Sequence, residues 1–557
     1  MAEKEVLPEE EKAAGEVRRV PRSRLKAAPC QAACPAGVDV PRYIRYIKKG
    51  EFDEALAVNH ERIPLPDICG HACFNPCEKK CAMNQFGEPI AIRMLKRAAV
   101  EMSEDGSWKR NKKAAPATGR KVAVVGAGPA GLTAAYYLAS LGHAVTVYDE
   151  NPEAGGTMRY GIPRYRLPAE ALDKNLGKIM EGVDFQGGKA LGKDLTVEGL
   201  RKDHDAVLVS VGATESRKLG LEGADLKGVV WGLEFLQAIA RGEKPEVMEK
   251  VVVVGGGNVA VDVALSARRL GARQVDMVCL ECRGEMPAHE WEIARAEEEG
   301  VNIRDSWGPV KVLGADAVEG IELRKCTSVF DRKGNFCPCF EEENRTVIDA
   351  GQVIIAVGQA SDPRVSGAVK ADRETLATDR DGVFAAGDFV TGPSSIIQAI
   401  AGGRAAAAAI DAYLGGAGLI GEELASVEEE VEIPETRSIR RRRLPVSILP
   451  AERRVKSFAP MELGYGPEQA VLEASRCLGC DARMFEVTVH TANCKACGYC
   501  NEVCRMGVFA QASEFNKRGV KPLYAAKPEQ CVGCLMCFYA CPDFAIEVRE
   551  LRADGEE

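Results

Sequence analysis

Two runs near the end of the chain, CKACGYCNEVC and CVGCLMCFYACP, share the spacing C-x2-C-x2-C-x3-C, built on Cys494, Cys497, Cys500 and Cys504 and on Cys531, Cys534, Cys537 and Cys541. Three thiolates on a tight loop can wrap one face of an iron–sulfur cubane, while the fourth, one helical turn on, points to a neighbouring cluster. The spacing therefore predicts one 4Fe–4S cluster on Cys494, Cys497, Cys500 and Cys541, and a second on Cys531, Cys534, Cys537 and Cys504. A zinc ribbon would need only two CxxC pairs, so two complete four-cysteine copies favour iron. Arg505 stands where the second copy has Pro542, a departure that spares the ligands.

Thirteen more cysteines complete the total of 21. Cys30 and Cys34 stand in APCQAACP, followed by Cys69, Cys73, Cys77 and Cys81, and Cys477 and Cys480 form the CxxC of EASRCLGCD. Cys279, Cys282, Cys326, Cys337 and Cys339 are scattered. The 557 residues are too many for one core. A net charge of −9 argues against a general nucleic-acid binder. No run of 18 apolar residues appears and the N-terminus is too charged for a signal peptide, so membrane insertion is not expected and a cytoplasmic location is. In such a reducing compartment cysteines serve as metal ligands or redox groups more often than as disulfides.

The middle of the chain reads as nucleotide-binding α/β folds. KVAVVGAGPAGLTAAYYLASLGHAVTVYDE runs strand, glycine turn, helix, strand. Gly126 permits the tight turn, Gly128 lets the backbone approach a pyrophosphate beside Pro129 and Ala130, and Gly131 lets helix and strand pack closely. Asp149 ends the second strand, where it can accept hydrogen bonds from a ribose. KVVVVGGGNVAVDVALSARRLGARQVDMVCLE repeats the unit, with Gly255, Gly257, Asn258, Val259 and Ala260 in its fingerprint. GVFAAGDFVTGPSSIIQAIAGGRAAAAAI then offers a strand, Gly387 and Asp388, and a helix opening near Ser395 whose N-terminus can face a phosphate.

GAGPAG, GGTMRYGIPRYRLP, GGGNVAVDVA and AAGDFVTGPSS occur in the order seen in the small subunit of glutamate synthase. The chain also resembles the flavin modules of dihydropyrimidine dehydrogenase and ferredoxin-dependent transhydrogenases, over roughly residues 25 to 415, and its end resembles bacterial two-cluster ferredoxins. The resemblance implies FAD on the first fold and a nicotinamide fold inserted within the FAD domain, with the chain returning near VIIAVGQ and GDFVTG. Gly155, Gly156, Arg159, Gly358, Gly387, Asp388 and Ser395 are then expected along the cofactors. The implied architecture is multidomain α/β. A helical iron–sulfur domain (1–115) precedes two nested Rossmann-like domains (FAD, 116–216 and 355–415; nicotinamide, 217–354). A linker (416–475) and a ferredoxin-like α+β domain carrying RCLGC (476–557) follow.

In this family an N-terminal helical domain carries RCLxC before PCxxxCP, whereas here RCLGC is displaced to Arg476–Cys480. The resemblance thus implies a motif cut in two, with one cluster on Cys477, Cys480, Cys30 and Cys81. A second would use Cys34, Cys73 and Cys77 with an open fourth ligand. Relatives often place Glu or Gln where this chain has Lys96, a poor iron ligand; Cys69 either fills in or is a buried bystander. Cys279 and Cys282 form a CxxC after the second fingerprint, whereas thioredoxin-reductase-like enzymes carry theirs before it, so an inert pair is expected over a redox dithiol. Glu281 stands where NADPH-using relatives carry arginine, which favours NAD(H); the alternative is that Arg283 or Arg268 grips a 2′-phosphate. The charged linker (GEELASVEEEVE, IRRRRLP) is expected to be solvated, or else to dock a partner.

These readings describe an electron-transfer subunit carrying FAD, NAD(H) and four 4Fe–4S clusters. A nicotinamide delivers electrons in pairs and a cluster takes one, so the flavin must divide them. Hydride transfer needs positioning, and no catalytic acid or base is nominated. The expected partners are other subunits of an anaerobic redox complex, such as a 2-oxoacid, aldehyde or formate oxidoreductase, or ferredoxin. Two alternatives remain: a free-standing NAD(P)H reductase of ferredoxin or metal chelates, and a non-catalytic wiring subunit.

Overall fold

KVAVV and KVVVV are apolar on both faces, which suits the middle of a parallel sheet covered by helices on each side. Both take that place in the computed structural model, which describes residues 19–113, 115–366, 369–433 and 441–551. The first sheet runs Val383–Ala385, Ala206–Val209, Lys121–Val125, Ala144–Asp149, Asp184–Gly187, all parallel. The second runs Val301–Arg304, Gln274–Val278, Lys250–Val254, Gln352–Ile355, Val229–Trp231, also parallel. Val383–Ala385 joins the first sheet only after the second is complete, so one fold is nested in the other. Glu215–Ser216 on the way out pairs antiparallel with Gln359–Ala360 on the way back. The return thus begins at the last residue of VIIAVGQ, Gln359. The apolar strand Gln352–Ile355 is buried along its whole length inside the second sheet.

Two features differ from expectation. Residues 307–349 form a three-stranded antiparallel sheet, Trp307–Leu313, Gly320–Phe330 and Phe336–Asp349, beside the second fold. The segment 416–475, expected as a solvated or partner-docking linker, instead packs in large part on this chain's own N-terminal helices. Glu61 accepts from the amides of Leu424 (3.0 Å) and Ala425 (3.1 Å). Arg45 joins Glu428 (2.8 Å) to Asp481 (2.6 Å). Glu430–Glu432 pairs with Arg19–Pro21. Of IRRRRLP, Ile439 and Arg440 lie outside the described residues, and Arg443 meets Glu78 at 2.8 Å.

Helix Pro467–Ala474 completes the N-terminal unit. Its Glu473 is fully buried and accepts from Ala91 N (2.9 Å), Leu444 N (3.0 Å) and Arg476 Nη1 (2.6 Å). Arg476, also buried, donates further to the carbonyls of Arg441, Glu88 and Pro89. A buried ion pair is tolerable only when its remaining donors and acceptors are met, and here they are. Glu462 forms a second bridge, accepting from Arg93 of helix Ile92–Glu101 (2.8 Å) and Arg295 of helix Glu290–Glu298 (2.6 Å). It thereby ties the N-terminal helices to the second fold.

Glu473→Ala would leave the Arg476 guanidinium buried without its counter-charge. It should destabilise the holoprotein by about 3–5 kcal/mol, read from denaturant unfolding. Burial works to raise the Glu462 pKa, but Arg93 and Arg295 outweigh it and hold the carboxyl down at about 2. A depressed carboxyl contributes stability that is complete above its unfolded value of about 4.3 and is lost as pH falls through the folded one. Glu462→Gln should therefore cost about 3 kcal/mol at neutral pH, with about 1 kcal/mol of that difference gone by pH 4. A difference from wild type that stays constant from pH 7 to 4 would show that packing, not charge, is lost.

Candidate functional site

The two glycine turns are built as the fingerprints require. At Gly126 (φ 106°) a Cβ would sit 2.4 Å from Ser210 O, and at Gly131 it would sit 1.9 Å from Gly126 O. Gly128 between them faces open space, the gap a pyrophosphate needs beside a helix N-terminus. In the second fold a Cβ on Gly255 would strike Ala356 O at 2.3 Å, Gly257 is open, and Ala260 is buried. Asn258 holds the next loop by accepting from His289 N at 2.9 Å, and Val259 borders the cavity.

A cavity of about 510 Å³ lies over the first turn, bordered by Gly126, Gly128, Pro129, Ala130, Asp149, Gly156 and Gly387. A second, of about 1040 Å³, reaches to Gly255, Gly257, Glu281, Gly358 and Ser395. The two share Pro129, Thr157, Asp388 and Ala399, so a dinucleotide in one can meet a nucleotide in the other. Both exceed a few hundred cubic ångströms, and the larger mixes apolar and aromatic side chains with a few polar groups, as cofactor sites do. Asp149 accepts from Ala127 N (2.7 Å) and Asn151 N (2.8 Å), which fixes its carboxylate at the cavity wall. Asp388 accepts from Ser394 N and Oγ, and burial raises its pKa. Ser395 caps helix Ile396–Tyr413 in a reciprocal box with Gln398.

Arg159 and Gly155 do not border either cavity, contrary to expectation. The Arg159 guanidinium turns back to Ala154 O (2.7 Å) and to Asp173, which braces the GGTMRY loop from behind. Gly155 (φ 135°) lies against Arg159, and Gly156 (φ 49°) against the Cα of Gly128. At the nicotinamide-side strand end, Glu281 Oε2 comes within 2.8 Å of where a Gly256 Cβ would stand. The two arginines that could have replaced it are engaged. Arg283 forks onto Glu297 (2.7 and 2.8 Å), and Arg268 donates to the carbonyls of Ala272, Arg273 and Glu299. The Cys279 thiol is pushed up to about 12, mainly by burial, and is poorly suited to redox exchange.

The cysteines gather into four sets. Burial pushes the Cys30 and Cys480 thiols well above their usual range, and Cys81 and Cys477 beside them add to it. The halves of the divided motif therefore meet. Cys69, Cys73 and Cys77, all raised chiefly by burial, share Cys34 as a neighbour and surround Lys96. In the C-terminal domain Cys500, raised by burial to about 11, faces Cys494, Cys497 and Cys541. Cys537, raised to about 12, faces Cys534, Cys531 and Cys504. Cys541 thus stands with the first run and Cys504 with the second. Secluded thiols resist ionisation, and a bound cation is what lowers that barrier, so the donor chemistry of each set suits iron.

Three further side chains join the parts around these sites. Lys26 donates to Glu529 O (2.9 Å) across a cavity of about 900 Å³ bordered by Cys480, Cys531 and Cys534. Arg505 uses the position without proline to reach Asn84 O (2.9 Å), docking the C-terminal domain on the N-terminal one. Arg166 bridges Asp262 and Glu292, each at 2.7 Å, joining the GGTMRYGIPRYRLP loop to the second fold. Glu292 is pushed up to about 7, chiefly by burial. Lys26 has no sequence signal. Arg166 lies within a quoted motif, although nothing in the motif says that its partners sit in another domain.

Residues 120–403 match the family model described as pyridine nucleotide-disulphide oxidoreductase. Residues 2–108 match dihydropyrimidine dehydrogenase domain II, 4Fe-4S cluster, and residues 493–545 a 4Fe-4S dicluster domain. The chain is 35% identical over 497 residues to the NADP(+)-dependent formate dehydrogenase subunit beta of Moorella thermoacetica, covering 81% of this chain and 70% of that one. It is 35% identical over 511 residues to the NADPH-Fe(3+) oxidoreductase subunit beta of Geobacter sulfurreducens (81% and 75% covered). To the glutamate synthase [NADPH] small chain of Mycobacterium tuberculosis it is 32% identical over 423 residues (70% and 86% covered). With its nested dinucleotide folds and its cysteine sets at both ends, the chain belongs to the pyridine nucleotide-disulphide oxidoreductases, as a glutamate synthase small-subunit-like FAD/NAD(P) enzyme with terminal 4Fe–4S domains.

Proposed function

We propose that the chain is the electron-transferring flavoprotein subunit of a multisubunit oxidoreductase, passing electrons between NAD(H) and a partner through FAD and four 4Fe–4S clusters. When bound, FAD supplies exchange of a hydride with nicotinamide and of single electrons with iron. The observation that carries the reading is an unbroken file of cysteine sets from the cofactor cavity to the surface. Ala72 and Phe74, on either side of Cys73, border the large cavity. The set of Cys34, Cys69, Cys73 and Cys77 adjoins that of Cys30, Cys81, Cys477 and Cys480, since Cys77 is also a neighbour of Cys30. Cys480 shares the next cavity with Cys531 and Cys534, and Lys26 spans it. The last set includes the exposed Cys497, where a partner's redox group could approach. In two of the named relatives the corresponding chain is called a subunit beta, which supports a complex; one name specifies formate and the other Fe(3+).

The residues of the cavity bind and orient rather than exchange protons. Gly128 and Gly257 leave room for phosphates at two helix N-termini, Asp149 and Asp388 offer carboxylates to hydroxyls, and Arg166 fixes the angle between the two folds. Phe336, Pro338 and Phe340 of the antiparallel sheet, with Leu233 and Leu236, give the larger cavity apolar lining.

The cluster count is tested by iron. Anoxically purified protein should hold one FAD and about sixteen iron atoms. Cys477→Ser with Cys480→Ser should remove about four of them and leave FAD in place. Iron near eight in the unaltered protein would mean that the N-terminal sets are empty.

We also propose NAD(H) as the nicotinamide, a point at which this chain would part from relatives whose names specify NADP(H). Glu281 would accept from a free 2′-hydroxyl and repel a 2′-phosphate, while Arg283 and Arg268 are occupied. NADH should reduce the flavin with the higher kcat/KM. Leu280→Arg with Glu281→Arg should move the preference toward NADPH by about 1–3 kcal/mol. A preference for NADPH in the unaltered protein would refute this assignment.

A further inference from the structure

Lys96 is 5% exposed, in the middle of helix Ile92–Glu101, and the electron path described above gives it no task. The two arginines on the same helix meet oxygen atoms: Arg93 reaches Glu462 and the carbonyls of Gly70 and His71, and Arg97 reaches Glu101. Among the described residues no carboxylate forms an ion pair with Lys96. The groups that face it are the thiols of Cys69, Cys73, Cys34 and Cys77. Backbone geometry creates this arrangement. A Cβ on Gly70 would lie 2.9 Å from the Arg97 Cα, so helix Pro66–Ala72 backs directly onto helix Ile92–Glu101 one residue from Lys96. Cys69 adjoins that glycine, and Cys73 caps the same helix. An ammonium in so dry a place is costly unless it is compensated. The compensation nearest at hand is the sulfur set itself, whose thiols must give up their protons to hold iron.

We propose that Lys96 is the fixed counter-charge of the cluster held by Cys34, Cys69, Cys73 and Cys77, raising its reduction potential without binding iron. The inference rests on the reading that these four thiols hold a cluster. Reduction adds one electron to the cluster and no proton, the electron coming from the reduced flavin, so net negative charge grows by one. A nearby buried cation stabilises the more negative form more than the less negative one, and the weak screening of a buried site enlarges the difference. Net charge and local polarity are among the levers that set four-iron potentials. This cluster is the one beside the flavin cavity, through Ala72 and Phe74. A raised potential at that position makes the first one-electron transfer out of the flavin more favourable.

The test compares unaltered holoprotein with Lys96→Met, Lys96→Arg, Cys69→Ser and Cys73→Ser, each purified without oxygen. Iron is counted, and the clusters are titrated with a graded reductant under electron paramagnetic resonance. Lys96→Met should keep its iron while the reduction equilibrium of one cluster falls at least tenfold, about 59 mV toward negative potential for one electron. The other signals should stay in place, and Lys96→Arg should lie near the unaltered protein. Iron lost from Lys96→Met but kept in Lys96→Arg would also support the counter-charge, as a requirement for assembly. An iron-replete Lys96→Met with unmoved potentials would overturn it. So would iron lost from both Lys96 variants but kept in Cys69→Ser, because the lysine nitrogen would then be a ligand. If Cys73→Ser changes neither iron content nor any signal, the set holds no cluster, and the underlying reading falls together with this inference.

Discussion

A buried ion pair between Glu473 and Arg476 holds the two ends of this chain together, and the rest of the electron path depends on it. Charges are taken out of water at a cost that only complete pairing offsets. Glu473 meets that condition by accepting from two backbone amides of different segments as well as from Arg476. The Arg476 guanidinium in turn reaches three carbonyls on the loop before helix Ile92–Glu101 and on the incoming strand of chain. Cys477 follows directly, so the geometry that satisfies the arginine also delivers Cys477 and Cys480 to Cys30 and Cys81. The N-terminal helical unit is therefore a product of both ends of the sequence.

The same logic of bridging charges sets the angle between the larger parts. Glu462, from the segment between the flavin fold and RCLGC, holds one arginine from the N-terminal helices and one from the second fold. Arg166 performs the mirror task with one cation and two carboxylates, Asp262 and Glu292. Two nested folds joined only by Glu215–Ser216 and Gln359–Ala360 could hinge freely; these bridges limit that motion. Exchange between nicotinamide and flavin depends on close, aligned approach, so an interface held by directional ion pairs has functional weight.

The parts legible from sequence are those in which a residue type has one physical reason to stand at one spacing. Glycines in a fingerprint answer to backbone clearance, and at Gly126, Gly131 and Gly255 the clearance is below 2.5 Å. Cysteines at C-x2-C-x2-C-x3-C answer to cubane geometry. Charges are another matter, because an isolated Glu or Arg is compatible with solvent or with any partner. The acidic run 421–432 reads as solvated, yet Glu428 is nearly buried on Arg45. Arg159 stands in a motif expected along a flavin, yet its guanidinium meets Ala154 O and Asp173 and does not border the cavity. The antiparallel sheet over 307–349 has irregular register and much exposed surface, so its alternation is too weak to read from sequence.

A cluster whose proposed ligands lie more than 400 residues apart invites the objection that closing so long a loop costs too much. The dependence on length is logarithmic, and each doubling of a loop adds only about 0.6 kcal/mol. The closure is, moreover, made without iron. Arg19–Pro21 pairs with Glu430–Glu432, Glu61 binds the amides of Leu424 and Ala425, and Arg45 reaches Asp481 directly after Cys480. Each contact shortens the effective loop that the next must close. By the time Cys477 and Cys480 are positioned, the two cysteine-bearing halves belong to one packed unit, and metal binding there would draw on an arrangement already largely formed. Iron is thus asked to stabilise the site rather than to search for its distant ligands, which distinguishes this centre from small domains that fold only around their metal.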